Sequence, residues 1–166
     1  MLLDTARLLR VAATSPVLTR NIVQVGRLEG PHVRYLGEHV GRAPFASTAR
    51  PGDVRGAGTT AMGIAALAGL DAAMASALVA EMPEQDALVA HDAVPAARSR
   101  GYAVDPGLVH PSIFGVAISL DGHPGLSFGV PLVEVLPQAW REQSRRYQEV
   151  VAALRAAASV VTSTSS

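Results

Sequence analysis

The sequence has no cysteine and no lysine, and its charges cancel. Its 166 residues include 14 basic and 14 acidic side chains, which gives a formal net charge of zero. Without cysteine there can be no disulfide framework, no thiolate zinc site and no cysteine nucleophile. Direct DNA binding is disfavoured as well, because neutralising phosphates requires a concentrated basic surface.

Long apolar runs are also missing. No stretch approaches the ~20 apolar residues of a membrane span, and the start, Met1-Leu2-Leu3-Asp4, lacks the features of a secretory signal. We therefore expect a cytoplasmic protein with no membrane contact. Hydrophobic residues make up 49% of the chain, enough for one core. The prediction is a single domain over residues 1–161 and a disordered polar tail over 162–166.

The first half of the chain alternates between helical and strand-like patterns. Apolar residues at helical spacing predict a helix over 2–14, and β-branched runs from 20 to 40, split by Glu29-Gly30-Pro31, predict a hairpin. A third strand-like run covers 44–49. Residues 56–70 are interpreted as a loop leading into a helix, with Thr59 or Thr60 as its cap.

The second half predicts a helical insert and then another hairpin. Asp71 can cap a helix to about Met82, and Pro83 opens a further helix that should be disturbed at Pro95. Strand-like runs follow at 102–104, 112–120 and 126–136, with a turn between the last two. A final helix is predicted from Pro137. Two hairpins around a helical insert indicate an α+β fold with an antiparallel sheet of about five or six strands, flanked by helices.

Three segments, in this order, resemble the effector-binding domain of IclR-type bacterial transcription regulators. Residues 56–68, G-A-G-T-T-A-M-G-I-A-A-L-A, are similar to that family's loop-to-helix segment, and residues 98–105, R-S-R-G-Y-A-V-D, to its R-x-R-G-[YF]-[AS]-x-D segment. Residues 113–130 are similar to its paired strands with a D-x-x-G turn. The resemblance implies a GAF-like or profilin-like architecture and a pocket for a small organic effector.

In that family the domain usually follows a winged helix-turn-helix that reads DNA as a dimer. The resemblance therefore implies transcriptional regulation, with DNA contacted only through a domain absent from this chain and with a homo-oligomer, dimer or tetramer, as the working form. Neither a cofactor nor a metal is expected, since the domain senses its effector without chemistry.

The resemblance also implies where the effector binds. Two features support ligand contact at the start of the predicted helix: free N–H groups and a partial positive charge that suit an anion. The expected effector-binding residues are Thr59, Thr60, Met62, Gly63, Asp105, His110, Ile113, Phe114 and Gly129. Each also has an ordinary interpretation, as a helix cap, a turn or loop residue, or part of the core.

Several positions depart from the family pattern. Ile64 replaces a lysine, Gly58 stands at the histidine position, and Gly129 and Pro131 replace serines that commonly face the ligand. A pocket with fewer polar anchors suits an aromatic or largely apolar effector better than a small carboxylate.

Two alternatives to a sensor stay open. The loss of polar anchors also fits a dimerisation module with a degenerate pocket. An enzyme that uses Asp105 and His110 as an acid/base pair is disfavoured because few titratable groups converge there. The same two residues are too few for a metal site. Ser127 lies in a G-x-S-x-G match, but no histidine follows it, so a hydrolase triad is excluded.

Overall fold

The computed structural model describes residues 2–42, 49–108, 113–133 and 144–163. Within these ranges five α-helices surround one six-stranded antiparallel sheet, as the α+β prediction required. The strands run in the order β3-β2-β1-β6-β5-β4. They are β1 (Ile22–Glu29), β2 (His32–Val40), β3 (Val54–Gly56), β4 (Ala103–Val104), β5 (Ile113–Ser119) and β6 (Leu126–Val133). None of the described helices is long and apolar enough to cross a membrane.

Five helices are described, and several of their ends carry capping residues. They are α1 (Thr5–Thr14), α2 (Ala61–Ala68), α3 (Ala72–Ala80), α4 (Glu84–Arg100) and α5 (Arg145–Ser163). Asp4, Thr60 and Asp71 each cap a helix by accepting a backbone N–H from the first turn. Gly101, in the left-handed conformation with φ 82°, ends α4. Helix α5 extends through Ser163, two residues into the segment expected to form the tail.

Both predicted hairpins are confirmed, and they bring β1 and β6 together at the centre of the sheet. In the first hairpin Glu29 pairs with His32 around a tight turn in which Gly30 has φ 57°. In the second, Ser119 pairs with Ser127. The pairing of Gln24 with Gly129 joins the two hairpins. Segments far apart in the chain are therefore adjacent in the middle of the sheet.

The sheet separates two cores. On one face, α1 and α5 cover a cluster that contains Phe114, Phe128 and Tyr147. On the other face, α2 lies directly on the strands and is backed by α4, and the cluster there contains Tyr35, Met62 and Ile64. Seven of the eight residues of α2 are buried, as expected for a helix enclosed between a sheet and a second helix.

Two expectations about secondary structure need correction. The sequence predicts no strand at 54–55 and places Gly56 in a loop, but Val54–Gly56 form β3, which pairs with the free edge of β2 through Val33 and Arg55. A strand of three residues is too short to show a periodic pattern in the sequence. It forms because it can hydrogen-bond to the free edge of β2.

Two predictions fall outside the described residues. The strand-like run 44–49 lies almost entirely on residues 43–48, and the predicted start of the last helix, Pro137, lies in the range 134–143.

Pro95 does not interrupt α4. The helix is continuous from Glu84 to Arg100 with Pro95 inside it. A proline there removes one backbone hydrogen bond, to the carbonyl of His91, and both residues are exposed. Because water can solvate that carbonyl, the proline does not end the helix.

Candidate functional site

A cavity of about 40 Å³ lies between the first turn of α2 and the adjoining face of the sheet. Of the described residues, five polar or charged ones line it, namely Gln24, Tyr35, Arg55, Thr60 and Asp105. The remaining lining residues are small or apolar, namely Ala49, Ala61, Met62, Ile113, Gly115, Val116, Val130 and Pro131. The volume is far below the roughly 300 Å³ of a typical ligand pocket.

Thr60 fixes the start of α2 at the edge of the cavity. Its hydroxyl accepts the N–H of Gly63 at 3.1 Å and donates to the carbonyl of Gly56 at 3.2 Å. It therefore joins the end of β3 to the first turn of the helix. Thr59 also bonds Gly56, at 3.4 Å, but it does not line the cavity.

Asp105 brings a buried carboxyl group to the same helix end. Its backbone N–H bonds the carbonyl of Gly115 at 2.7 Å, and its Oδ1 accepts the N–H of Gly107, also at 2.7 Å. The backbone N–H of Ala61 donates to the carboxyl as well. The residue is only 9% exposed. Burial raises the pKa of Asp105 to about 6, although the bonds from Gly107 and Ala61 oppose this shift.

Tyr35 and Arg55 add two further polar groups to the cavity. Burial raises the pKa of Tyr35 to about 12, with a further contribution from the negative charge of Asp105, so its phenol is neutral at physiological pH. The guanidinium of Arg55 lies 3.5 Å from a carboxyl oxygen of Asp53, and its side chain is 39% exposed. The cavity thus has a buried acid beneath α2 and a more exposed cation on β3.

Gln24 lies on the same face of β1 as the cavity. Its amide nitrogen donates to the carbonyl of Ala49 at 3.0 Å, and the side chain is almost fully buried. Sequence analysis did not single out Gln24, Tyr35 or Arg55. A usable signal existed for Gln24, since it alternates with Val23 and Val25, whose side chains enter the opposite core.

Four of the nine expected site residues line the cavity: Thr60, Met62, Asp105 and Ile113. Two expected glycines, Gly63 and Gly129, do not line it but lie in close contacts between segments. Gly63 lies against the backbone of Ala57, where a Cβ would approach to 2.3 Å, and a Cβ on Gly129 would come within 2.7 Å of the sulfur of Met62. Both positions require the absence of a side chain.

The other expected residues are placed elsewhere. Phe114 is 2% exposed and packs in the core beneath α1 and α5, on the face of the sheet away from α2. Thr59, as noted above, bonds the β3 end, and His110 lies outside the described residues. Within the described ranges, no group of three or more His, Cys, Asp or Glu residues could hold a metal ion.

No protein-family model matches the sequence. No match was found among curated proteins either.

Solved structures do resemble this fold over nearly the whole chain. The repressor BlcR of Agobacterium tumefaciens has a TM-score of 0.76 and 18% identity, with 96% of this chain and 67% of that chain covered. For the C-terminal domain of the E. coli transcriptional regulator KdgR, the TM-score is 0.69 and the identity 18%, with 95% and 97% covered. An IclR homolog from Microbacterium hydrocarbonoxydans, complexed with 4-hydroxybenzoate, has a TM-score of 0.67 and 17% identity, with 93% and 69% covered.

These matches define the fold. This chain has the architecture of the C-terminal effector-binding domain of IclR-type regulators, and it corresponds in extent to that domain alone. The structures it resembles are those of transcriptional regulators.

Proposed function

We propose that the chain is the ligand-sensing domain of a transcription regulator, and that its effector binds in the cavity beneath the first turn of α2. The observation that carries this proposal is the convergence of Thr60, Met62, Asp105 and Ile113 on one partly polar cavity. These residues come from a helix start, a strand end and the beginning of the next strand. A fold-level likeness to regulators, one of them with a bound aromatic acid, supports the same conclusion by analogy.

Sensing requires that occupancy of the cavity changes the rest of the domain. Ligand contacts with Thr60 and Asp105 would act on both ends of the loop-to-helix connection, because Thr60 bonds Gly56 and Asp105 bonds Ala61. The effector must bind two arrangements of the domain with different affinities. DNA would be contacted by a separate winged helix-turn-helix domain. The regulator would act in the cytoplasm as a dimer or tetramer.

Thermal unfolding against a panel of small organic molecules tests this proposal. A ligand that binds only the folded state stabilises it by RT ln(1 + [L]/Kd), so binding raises the unfolding midpoint in a saturable way. We expect at least one compound to do so, and Asp105→Asn to alter the response. The matched control is Asp121→Asn, at an exposed turn between β5 and β6, which should leave the response unchanged.

A second candidate is an assembly module whose pocket has degenerated. The small volume of the cavity favours it, since about 40 Å³ is well below the roughly 300 Å³ of an ordinary ligand pocket. This alternative predicts a folded oligomer, measured by light scattering, whose unfolding midpoint does not respond to any compound of the panel.

A further inference from the structure

The acid–base character of the cavity indicates which chemical group enters it. This argument rests on the proposed function, because it concerns the ligand of the same site. A helix start that faces a cavity is usually suited to an anion, since its first N–H groups are free and carry partial positive charge. In this protein the chain itself supplies acceptors for two of those groups, the N–H groups of Ala61 and Gly63.

Two of the first-turn donors of α2 are already bonded to side chains. The N–H of Gly63 donates to the hydroxyl of Thr60 at 3.1 Å, and the N–H of Ala61 donates to the carboxyl of Asp105. Gly107 donates to that carboxyl from the other side, at 2.7 Å. The place where a ligand carboxylate would bind is thus occupied by the carboxyl of a residue that is 9% exposed.

A second anion beside Asp105 would be strongly disfavoured. Like charges that share a buried, poorly solvated site repel each other, and one of them must take up a proton. A hydroxyl or an amide N–H has the opposite character, since a carboxylate has acceptor capacity for more than two donors. The carboxyl of Asp105 can therefore accept a ligand donor while it keeps Ala61 and Gly107.

Among the described residues, Arg55 is the cation that lines the cavity, and it does not change this preference. The guanidinium of Arg55 lies 3.5 Å from Asp53, its side chain is 39% exposed, and it belongs to the edge strand β3. A negative group of a ligand can meet Arg55 only where water also screens the pair. The remaining polar groups of the described lining, Gln24, Tyr35 and Thr60, are uncharged at physiological pH.

We propose that the effector presents a neutral hydrogen-bond donor, a hydroxyl or amide, to Asp105, and that a carboxylate is rejected at that position. The ligand class is thus an alcohol, phenol or amide, and any acidic group it carries lies at the Arg55 end. Selectivity arises from a repulsive element built into the pocket, in addition to the attractive contact.

Matched acid and amide probes test this assignment. Acetate and acetamide, benzoate and benzamide, and phenylacetate and phenylacetamide differ little in shape within each pair, and the pairs cover three sizes. Binding to the wild-type chain is measured by the shift in unfolding midpoint and by calorimetry at about pH 8, where Asp105 is ionised. In the pair whose size suits the cavity, we expect the amide to bind at least about tenfold more tightly than the acid.

Two further measurements separate charge repulsion from simple size selection. In Asp105→Asn the acid should gain affinity relative to its amide, because the repelling charge is gone. Arg55→Gln should leave the preference for the amide in place. If Asp105→Asn does not fold, lowering the pH of the wild type from about 8 to about 5.5 should tighten benzoate binding relative to benzamide binding, because the protonated carboxyl no longer repels the acid and is a weaker acceptor for the amide.

The pH experiment depends on few groups. Within the part of the chain that the structure describes, Tyr35 on β2 and Arg55 on β3 are the titratable residues that line the cavity with Asp105, whereas the start of α2 and β5 contribute the uncharged Thr60 and Gly115. Tyr35 has its pKa raised to about 12, so it stays neutral in this range. Asp105 is the lining group with a pKa inside it.

The outcomes distinguish the two proposals. An acid that binds the wild type as tightly as its amide at about pH 8 would overturn the donor assignment and leave the sensor intact. If neither member of any pair binds the wild type or Asp105→Asn, both proposals are contradicted, and the assembly module is favoured instead.

Discussion

The carboxyl group of Asp105 accepts the backbone N–H of Ala61, so the residue that follows β4 is tied to the first turn of α2. This contact joins two segments that lie more than forty positions apart in the chain. It places a titratable group at the wall of the cavity, and it makes the stability of the fold sensitive to pH.

The first prediction concerns that sensitivity. The pKa of Asp105 is about 6 in the folded protein, whereas an aspartate in an unfolded chain has a pKa of about 3.9. Between these values the folded protein holds a proton that the unfolded chain has released. Stability from this group is thus present at low pH and is lost as pH rises to about 6, by on the order of 3 kcal/mol.

Urea unfolding of the wild type and of Asp105→Asn, from about pH 4 to about pH 8, measures this effect. The free energy of unfolding of the wild type should fall relative to that of the variant up to about pH 6 and then run parallel to it. Asp121→Asn should show the wild-type trend. A constant difference between the wild type and Asp105→Asn would contradict the prediction.

The second prediction concerns the close approach of α2 to the loop before it. A Cβ on Gly63 would lie 2.3 Å from the Cα and the carbonyl oxygen of Ala57. Gly63→Ala should therefore lower the free energy of unfolding by about 1–3 kcal/mol, because backbone atoms must move. Since the contact is with backbone, Ala57→Gly should not rescue it, and a double-mutant cycle should give a coupling energy near zero. A large favourable coupling would contradict this interpretation.

The third prediction concerns the cap of α2. Thr60→Ala removes the acceptor for the N–H of Gly63 and should cost about 1 kcal/mol in unfolding free energy. Thr60→Ser keeps the hydroxyl and should retain most of that stability. Thr59→Ala should have less effect than Thr60→Ala, because its hydroxyl makes only a 3.4 Å contact with Gly56 and is not the cap. Equal losses in the alanine and serine variants at Thr60 would argue against the capping role.

The fourth prediction assigns different roles to two neighbouring residues of β5. Phe114 packs beneath α1 and α5, while Ile113 lines the cavity. Phe114→Leu should lower stability by about 1 kcal/mol or more and leave affinity for the best-binding amide probe unchanged. Ile113→Ala should change that affinity. Calorimetry on both variants checks this, and a loss of binding in Phe114→Leu alone would reverse the assignment.

Ile113 and Phe114 also show how far the sequence could lead. Both were expected at the site, yet consecutive residues of a strand point to opposite faces, so only one of them could enter the cavity. The pattern could not say which one, because both faces of this strand are covered by helices and both residues are apolar. The packing of α2 on one face and of α5 on the other decided it.

The sequence by itself determined the hairpins, most helix starts and the α+β class, because turn residues, caps and apolar spacing are local signals. It also indicated Thr60, Met62 and Asp105 through their resemblance to known segments. Tertiary structure alone decided that Val54–Gly56 pair with β2, that Tyr35 and Arg55 join the cavity, and that Asp105 lies at the start of α2. These features depend on contacts between distant segments, whose energies are set by burial and hydrogen bonding in the folded chain and leave no periodic trace in the sequence.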